Sequence, residues 1–184
     1  MPGPARRRLF FALWPDAACR ERLAVVARGA LSAAGPQPGR SVPPADWHVT
    51  LCFLGAVPEP LLPALQASAA RLHAPAFVLR FERLRYWRQA GVLALMADCP
   101  PAARALAAAL RALSRERGLS PDDKPLQPHI TLVRGLRSVS CPGPRESSHE
   151  LLLAATRFEL AESREQVAAP AARYRSLAAW PLDG

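Results

Sequence analysis

Apolar positions that alternate with polar ones predict a strand, and apolar positions recurring every three to four residues predict a helix. Residues 9–13 (Leu-Phe-Phe-Ala-Leu) form a short apolar run closed by Trp14-Pro15, the pattern of a buried strand. Asp16 is a good N-cap for a helix in which Cys19, Leu23, Val26, Ala27, Ala30 and Leu31 recur at helical spacing until Gly35-Pro36. A Pro/Gly-rich loop runs to Pro44. The next strand spans about 47–54 and stops at Gly55, and Leu61, Leu65, Ala69 and Leu72 suggest a second helix between Pro60 and Pro75. In 77–87, Phe77, Leu79 and Phe81 alternate with Val78, Arg80 and Glu82, a strand that a short link at 88–90 joins as a hairpin to another at 91–98.

The order then begins again. Pro100-Pro101 suits the first turn of a helix carrying Leu106, Leu110 and Leu113 and ending at Gly118. A polar loop, 120–128, leads to a strand at 129–133 that stops near Gly135. Residues 138–148, rich in Ser, Pro and Gly, read as an exposed loop, with a short helix over part of 145–153. Strands at 157–163 and 173–180 finish the chain. The halves 8–88 and 91–182 thus share one order of elements, which implies an internal duplication. The expected fold is a single bilobal α+β domain over 1–184. Each of its two pseudo-symmetric lobes has an antiparallel sheet and outer helices, and the inner sheet faces meet at a central cleft.

Composition narrows the class. Lys and Arg number 24 against 15 Asp and Glu, a net charge of +9, which favours polyanionic or phosphorylated partners. Cysteines 19, 52, 99 and 141 form no Cys-x-x-Cys pair, so reduced thiols are expected. The apolar run after the basic residues 1–8 is too short for a signal-peptide core, and no stretch approaches the length that spans a bilayer. The expected location is the cytoplasm, away from membranes.

The candidate chemistry lies in the strand that opens each half's second sheet segment. His48-Val49-Thr50-Leu51 and His129-Ile130-Thr131-Leu132 repeat one pattern 81 positions apart, in a chain with only four histidines. The strand period of two sends His and Thr to one face and the aliphatic residues to the other. Two imidazoles on opposite sides of a phosphorus atom suit in-line displacement, one taking a proton from water and the other giving one to the leaving oxygen. Imidazole titrates near neutral pH, so both forms are accessible. The hydroxyls of Thr50 and Thr131 can donate to phosphate oxygens, and Arg134 can add a charge-assisted bond. Strict alternation turns Arg134 away from His129, so a twist or turn before Gly135 must re-aim it.

Neither motif contains an acidic residue, and there is no clustered Cys/His spacing, Walker loop or Gly-x-Gly-x-x-Gly fingerprint. No metal and no cofactor are expected. Cys52 shares the alternation of His48 and Thr50 and lines the cleft on that reading, as a small filler without a basic partner to activate it. Trp47, Trp87, Phe11 and Trp180 could stack a base but read as core aromatics. His73 and His149 read as solvated, as do Arg104, Arg111, Arg115 and Arg117.

These stretches resemble the 2H phosphoesterase superfamily, named for its paired His-x-Thr/Ser-x motifs, and within it the LigT-like RNA 2′,3′-cyclic phosphodiesterases once called 2′-5′ RNA ligases. The resemblance runs from Arg8-Leu9-Phe10-Phe11-Ala12, through Val42-Pro43-Pro44 and His48 to Gly55, to Pro128-His129-Ile130-Thr131-Leu132-Val133-Arg134. It continues through Glu162-Ser163-Arg164 and the end from Tyr174 to Leu182. It implies metal-independent opening of a 2′,3′-cyclic phosphate on RNA or a nucleotide, tRNA fragments included, to leave a 2′-phosphomonoester. It further implies His48 as proton donor, His129 as proton acceptor, and Thr50, Thr131 and Arg134 as phosphate contacts. Residue chemistry alone leaves the two histidine roles interchangeable. Reversible 2′-5′ ligation at the same site and RNA binding without turnover are the alternatives. Two lobes in one chain complete the site, so a monomer suffices.

Overall fold

The computed structural model describes residues 4–33, 39–137, 145–164 and 172–184. In chain order the elements are β1 (Arg6–Leu13), α1 (Ala17–Ala33), β2 (Arg40–Ser41), β3 (Val49–Pro58), α2 (Leu62–Ala69), β4 (Phe77–Trp87), β5 (Val92–Ala97), α3 (Pro101–Glu116), β6 (His129–Arg134), β7 (Arg145–Ala155), β8 (Arg157–Ser163) and β9 (Tyr174–Pro181). Three local signals act as expected. Asp16 Oδ1 accepts the Cys19 backbone N–H at 2.7 Å and caps α1. Pro101 occupies the first turn of α3, where its missing N–H costs nothing. Strands β4 and β8 have the predicted bounds.

All strand pairings among the named strands are antiparallel, and their order is β7-β4-β5-β6-β3-β1-β8-β9. The sheet curls until its ends approach: the Ala76 N–H donates to the Asp183 carbonyl at 2.7 Å and the Asp183 N–H to Ala74 at 2.8 Å. At its middle it narrows to a seam, where β3 and β6 share one residue pair, Val49 with Ile130. On either side stand four strands of this path, the two lobes, with β2 added beside β6. They do not coincide with the halves of the chain. β4, from the first half, lies beside β5 in one lobe, and β8 and β9, from the second, lie beside β1 in the other.

One face of this sheet meets the helices and holds the main core, which includes Phe11, Phe81, Phe158, Leu106, Leu110, Val49 and Ile130, all at most 1 % exposed. The opposite face carries two smaller apolar clusters, Phe10, Ala12 and Ala161 in one lobe and Val92, Ala94 and Met96 in the other. These two faces decide where the site lies.

Several expectations require correction. Strand β3 does not stop at Gly55 but runs on to Pro58. Gly55 has φ 71° beside a register shift against β1, a bulge that glycine accommodates without ending the ladder. Helix α2 ends at Ala69, short of Leu72. The Pro/Gly-rich loop contains β2. The stretch 145–153, expected as loop and short helix, is strand: β7 pairs with β4 from Phe77–Ala155 to Leu84–Arg145, and the partner's alternating face outweighs weak local propensity. Residues 138–144 of the expected loop lie outside the described residues. No helix of the described residues is long and apolar enough to cross a membrane.

Candidate active site

The seam assembles the two motifs. In the antiparallel register fixed by Val49 and Ile130, His48 falls opposite Thr131 and Thr50 opposite His129. Val49 and Ile130 are fully buried in the core, so the four polar side chains project from the other face. All are half-buried.

A bulge in each strand extends this face. In β3, Thr50 pairs with Ala12 and Cys52 with Phe11, leaving Leu51 without a partner. In β6, Thr131 pairs with Ala94 and Val133 with Leu93, leaving Leu132 without one. Each extra residue resets the alternation by one place, so two consecutive side chains face the core. Leu51 and Cys52 are 2 % and 4 % exposed, Leu132 and Val133 1 % and 0 %. The residue after each pair returns to the site face. In β6 that residue is Arg134, paired with Val92 of the site-face cluster, and the bulge is the device that re-aims it. In β3 it is Phe53, exposed and covered on one side by the Arg8 guanidinium 4.7 Å from the ring centroid.

The same bulge overturns the placement of Cys52. Its side chain belongs to the main core and does not line the cleft, and burial pushes its thiol up to about 11, which leaves it un-ionised at neutral pH.

The histidines are held alike. Nδ1 of His48 lies 2.7 Å from the Asp46 carbonyl oxygen and Nδ1 of His129 lies 2.7 Å from that of Gln127. A carbonyl only accepts, so each Nδ1 carries the proton and each Nε2 is the atom left for the cleft. Burial, aided by the nearby Arg134 charge, lowers the pKa of both rings from the usual 6.5, that of His48 to about 4. A proton on His129 also disfavours one on His48, so the imidazoles share one electrostatic environment.

Their walls differ. His48 is ringed by Phe10, Trp14 and Tyr174, with centroids 5.0, 5.1 and 4.6 Å away. His129 meets Trp87 edge to face at 4.6 Å. Trp87, read from the sequence as core, therefore lines the site, whereas Phe11 and Trp47 are buried as expected. Tyr174 and Asp46 carry no signal of a site role in the sequence pattern. Asp46, 6 % exposed, accepts the backbone N–H groups of Arg173 (2.8 Å) and Tyr174 (3.3 Å) on Oδ1 while its carbonyl holds His48. One residue thus ties the start of β9 to the first motif. For Phe53 a signal exists: it stands five positions after His48, as Arg134 stands five after His129.

The arrangement offers two neutral imidazole nitrogens, two hydroxyls and a guanidinium on one face, flanked by aromatic rings. Such an arrangement has the chemistry to hold an anion and to move protons at two points. Among the described residues, no three His, Cys, Asp or Glu side chains cluster as metal ligands would.

Known proteins resemble this chain over nearly its whole length. The LigT like Phosphoesterase family matches residues 13–94. An Escherichia coli RNA 2′,3′-cyclic phosphodiesterase is 32 % identical over 178 residues, 96 % of this chain and 97 % of that protein. Among solved structures, Escherichia coli LigT complexed with 3′-AMP superposes with TM-score 0.82 at 30 % identity, covering 96 % of this chain and 98 % of that one. A Thermus thermophilus protein gives 0.76 at 28 % identity, covering 96 % and 98 %.

Proposed function

Since the chain belongs to the LigT-like phosphoesterases of the 2H superfamily, we propose that it hydrolyses 2′,3′-cyclic phosphate ends of RNA or nucleotides to 2′-phosphomonoesters, by two-histidine acid/base catalysis without a metal. The observation that carries this reading is the seam itself: His48, Thr50, His129, Thr131 and Arg134 on one face, with neither Nε2 hydrogen-bonded among the described residues.

The cyclic diester carries one negative charge. Arg134 and the two threonine hydroxyls hold its non-bridging oxygens, and Arg134 stabilises the charge that builds as a fifth oxygen approaches phosphorus. His129 Nε2 takes a proton from the attacking water as its oxygen bonds to phosphorus. The P–O3′ bond breaks, and His48 Nε2–H gives its proton to the departing 3′ oxygen. One proton is taken and one given, so the site returns to its starting charge after the two rings exchange a proton through solvent. The assignment of donor to His48 and acceptor to His129 follows the family resemblance. With a pKa of about 4, His48 is neutral at pH 7 before substrate arrives. The arriving phosphate anion raises its proton affinity and so shifts His48 toward the imidazolium that the donor role needs.

The test is direct. Purified protein incubated with a nucleoside 2′,3′-cyclic phosphate and EDTA should yield the 2′-phosphate, identified by phosphorus NMR. His48→Ala and His129→Ala should each lower the rate by at least about a hundredfold. Near-normal turnover in either variant removes the two-histidine mechanism, and a 3′-phosphate product contradicts the leaving oxygen.

A further inference from the structure

Strand β2 lies off the main path of the sheet and pairs with β6 where β3 has turned away. The register sets Arg40 directly opposite Arg134 and Ser41 opposite Val133, and the Val42 N–H donates to the Leu132 carbonyl at 2.8 Å. Gly39 makes this docking possible. A Cβ there would stand 2.6 Å from Leu136 Cδ2 and 2.9 Å from Val133 Cγ1, both in buried side chains, so any other residue would force those side chains or β2 itself to shift. The register thus sets two arginines directly opposite one another at the edge of β6.

Directly opposed residues of an antiparallel pair share a face, so Arg40 stands on the site face next to Arg134. Both are exposed, and among the described residues neither side chain has a carboxylate partner or a hydrogen bond. Like charges directly opposed across a ladder repel unless an anion lies between or beside them. Arg134 is engaged with the reacting phosphate in the function proposed above, and the present inference rests on that reading. Arg40 is then the next cation along the face, one strand further from β5. A mononucleotide cyclic phosphate has no second phosphate to offer it. A polynucleotide does: the phosphodiester on the 5′ side of its terminal nucleotide.

We infer that Arg40, seated on β6 beside Arg134 by Gly39, binds the phosphodiester preceding the terminal cyclic phosphate, so that the site selects RNA ends over mononucleotides. Arg40 contributes to binding and takes no part in proton transfer.

The experiment compares kcat/KM for adenosine 2′,3′-cyclic phosphate with that for a diadenylate bearing the same cyclic end, in wild type, Arg40→Gln and Arg40→Lys. Wild type should prefer the dinucleotide by about tenfold or more, as one charge-assisted contact allows. Arg40→Gln should lose about tenfold more on the dinucleotide than on the mononucleotide, chiefly in KM, and Arg40→Lys should recover part of it. The slope of log affinity against log salt for the dinucleotide should fall by about 0.7 in Arg40→Gln. Equal losses on both substrates would overturn the inference, since Arg40 would then serve the reacting phosphate or the fold. No loss on either would overturn it too. Equilibrium binding of the two 2′-phosphate products supplies a reading independent of turnover. If wild type opens neither substrate, the proposed function fails while binding still decides the role of Arg40. Equal weakening for both products, or none, refutes it; selective weakening for the dinucleotide upholds it.

Discussion

His48 should make the fold sensitive to acid, and the effect is large enough to measure. In the unfolded chain its imidazole titrates near 6.5, whereas in the folded protein burial holds it to about 4. Between those values the unfolded state binds a proton that the native state refuses, so stability is complete above pH 6.5 and falls as pH drops toward 4. At about 1.4 kcal/mol per pH unit, the whole span is worth roughly 3 kcal/mol, and by pH 4.5 about 2.5 kcal/mol should be gone. His129 is shifted the same way and adds to the slope. Urea unfolding at pH 7 and pH 4.5 reads the loss. With a slope of about 2 kcal/mol per molar urea, wild type should lose roughly 1 M more in midpoint than His48→Gln, which lacks the titrating ring. Carboxylates that protonate in the same range affect both proteins and drop out of the difference. Proton NMR of the His48 C2–H gives an independent reading, and adding inorganic phosphate should move its titration upward, because an anion at the site favours imidazolium. Parallel pH dependence in the two proteins, or a His48 titration near 6.5, would refute the claim that ring enclosure suppresses its charge.

The contacts around the motifs lead to two more outcomes. Asp46→Ala should cost about 2–4 kcal/mol in denaturant unfolding, because two main-chain N–H groups lose their acceptor, and should lower kcat by releasing Tyr174 from His48. Asp46→Asn, which keeps an acceptor oxygen, should recover most of both, and a wild-type midpoint in the alanine variant would show that the tie is idle. Arg134→Lys keeps the charge but loses the planar fork, so kcat/KM for a cyclic phosphate should fall by about tenfold to a hundredfold with unfolding unchanged. A loss no larger than twofold would place Arg134 outside the phosphate contacts.

The parts of this site that could be read from the chain are those whose geometry is local. His-x-Thr on a strand shares a face whatever the partner, and the Asp16 cap and the proline opening α3 act within one turn of their own residues. What escaped depends on a neighbouring strand. A bulge exists only where two residues oppose one, so the unpaired Leu51 and Leu132 could not be recognised before β1 and β5 were known as partners. That single unknown misplaced Cys52, hid Phe53 and left Arg134 needing an unnamed turn. Likewise β7 is a strand because β4 lies beside it, and Trp87 and Tyr174 reach the site because β4 and β9 have crossed to the lobes opposite their own halves of the chain.

The seam also explains why the motif side chains stand where they do. An antiparallel ladder satisfies its own backbone groups, and where β3 and β6 diverge after one pair, that supply ends. The carbonyls of Asp46 and Gln127 lie just outside the strands, and each is taken by the Nδ1–H of the histidine two residues on. Further along, the Leu132 carbonyl is taken by Val42 as β2 closes the gap. The break in the ladder is therefore repaired by the groups that fix the tautomer of each imidazole and by the strand that brings Arg40 beside Arg134. Equivalent bulges then set Phe53 and Arg134 at matching positions, one aromatic and one cationic, and three rings enclose His48 where one meets His129. A symmetric scaffold alone would give two interchangeable imidazoles. In the function proposed above the pair acts as acid and base, and these differences at matching places make the surroundings of the two rings unequal.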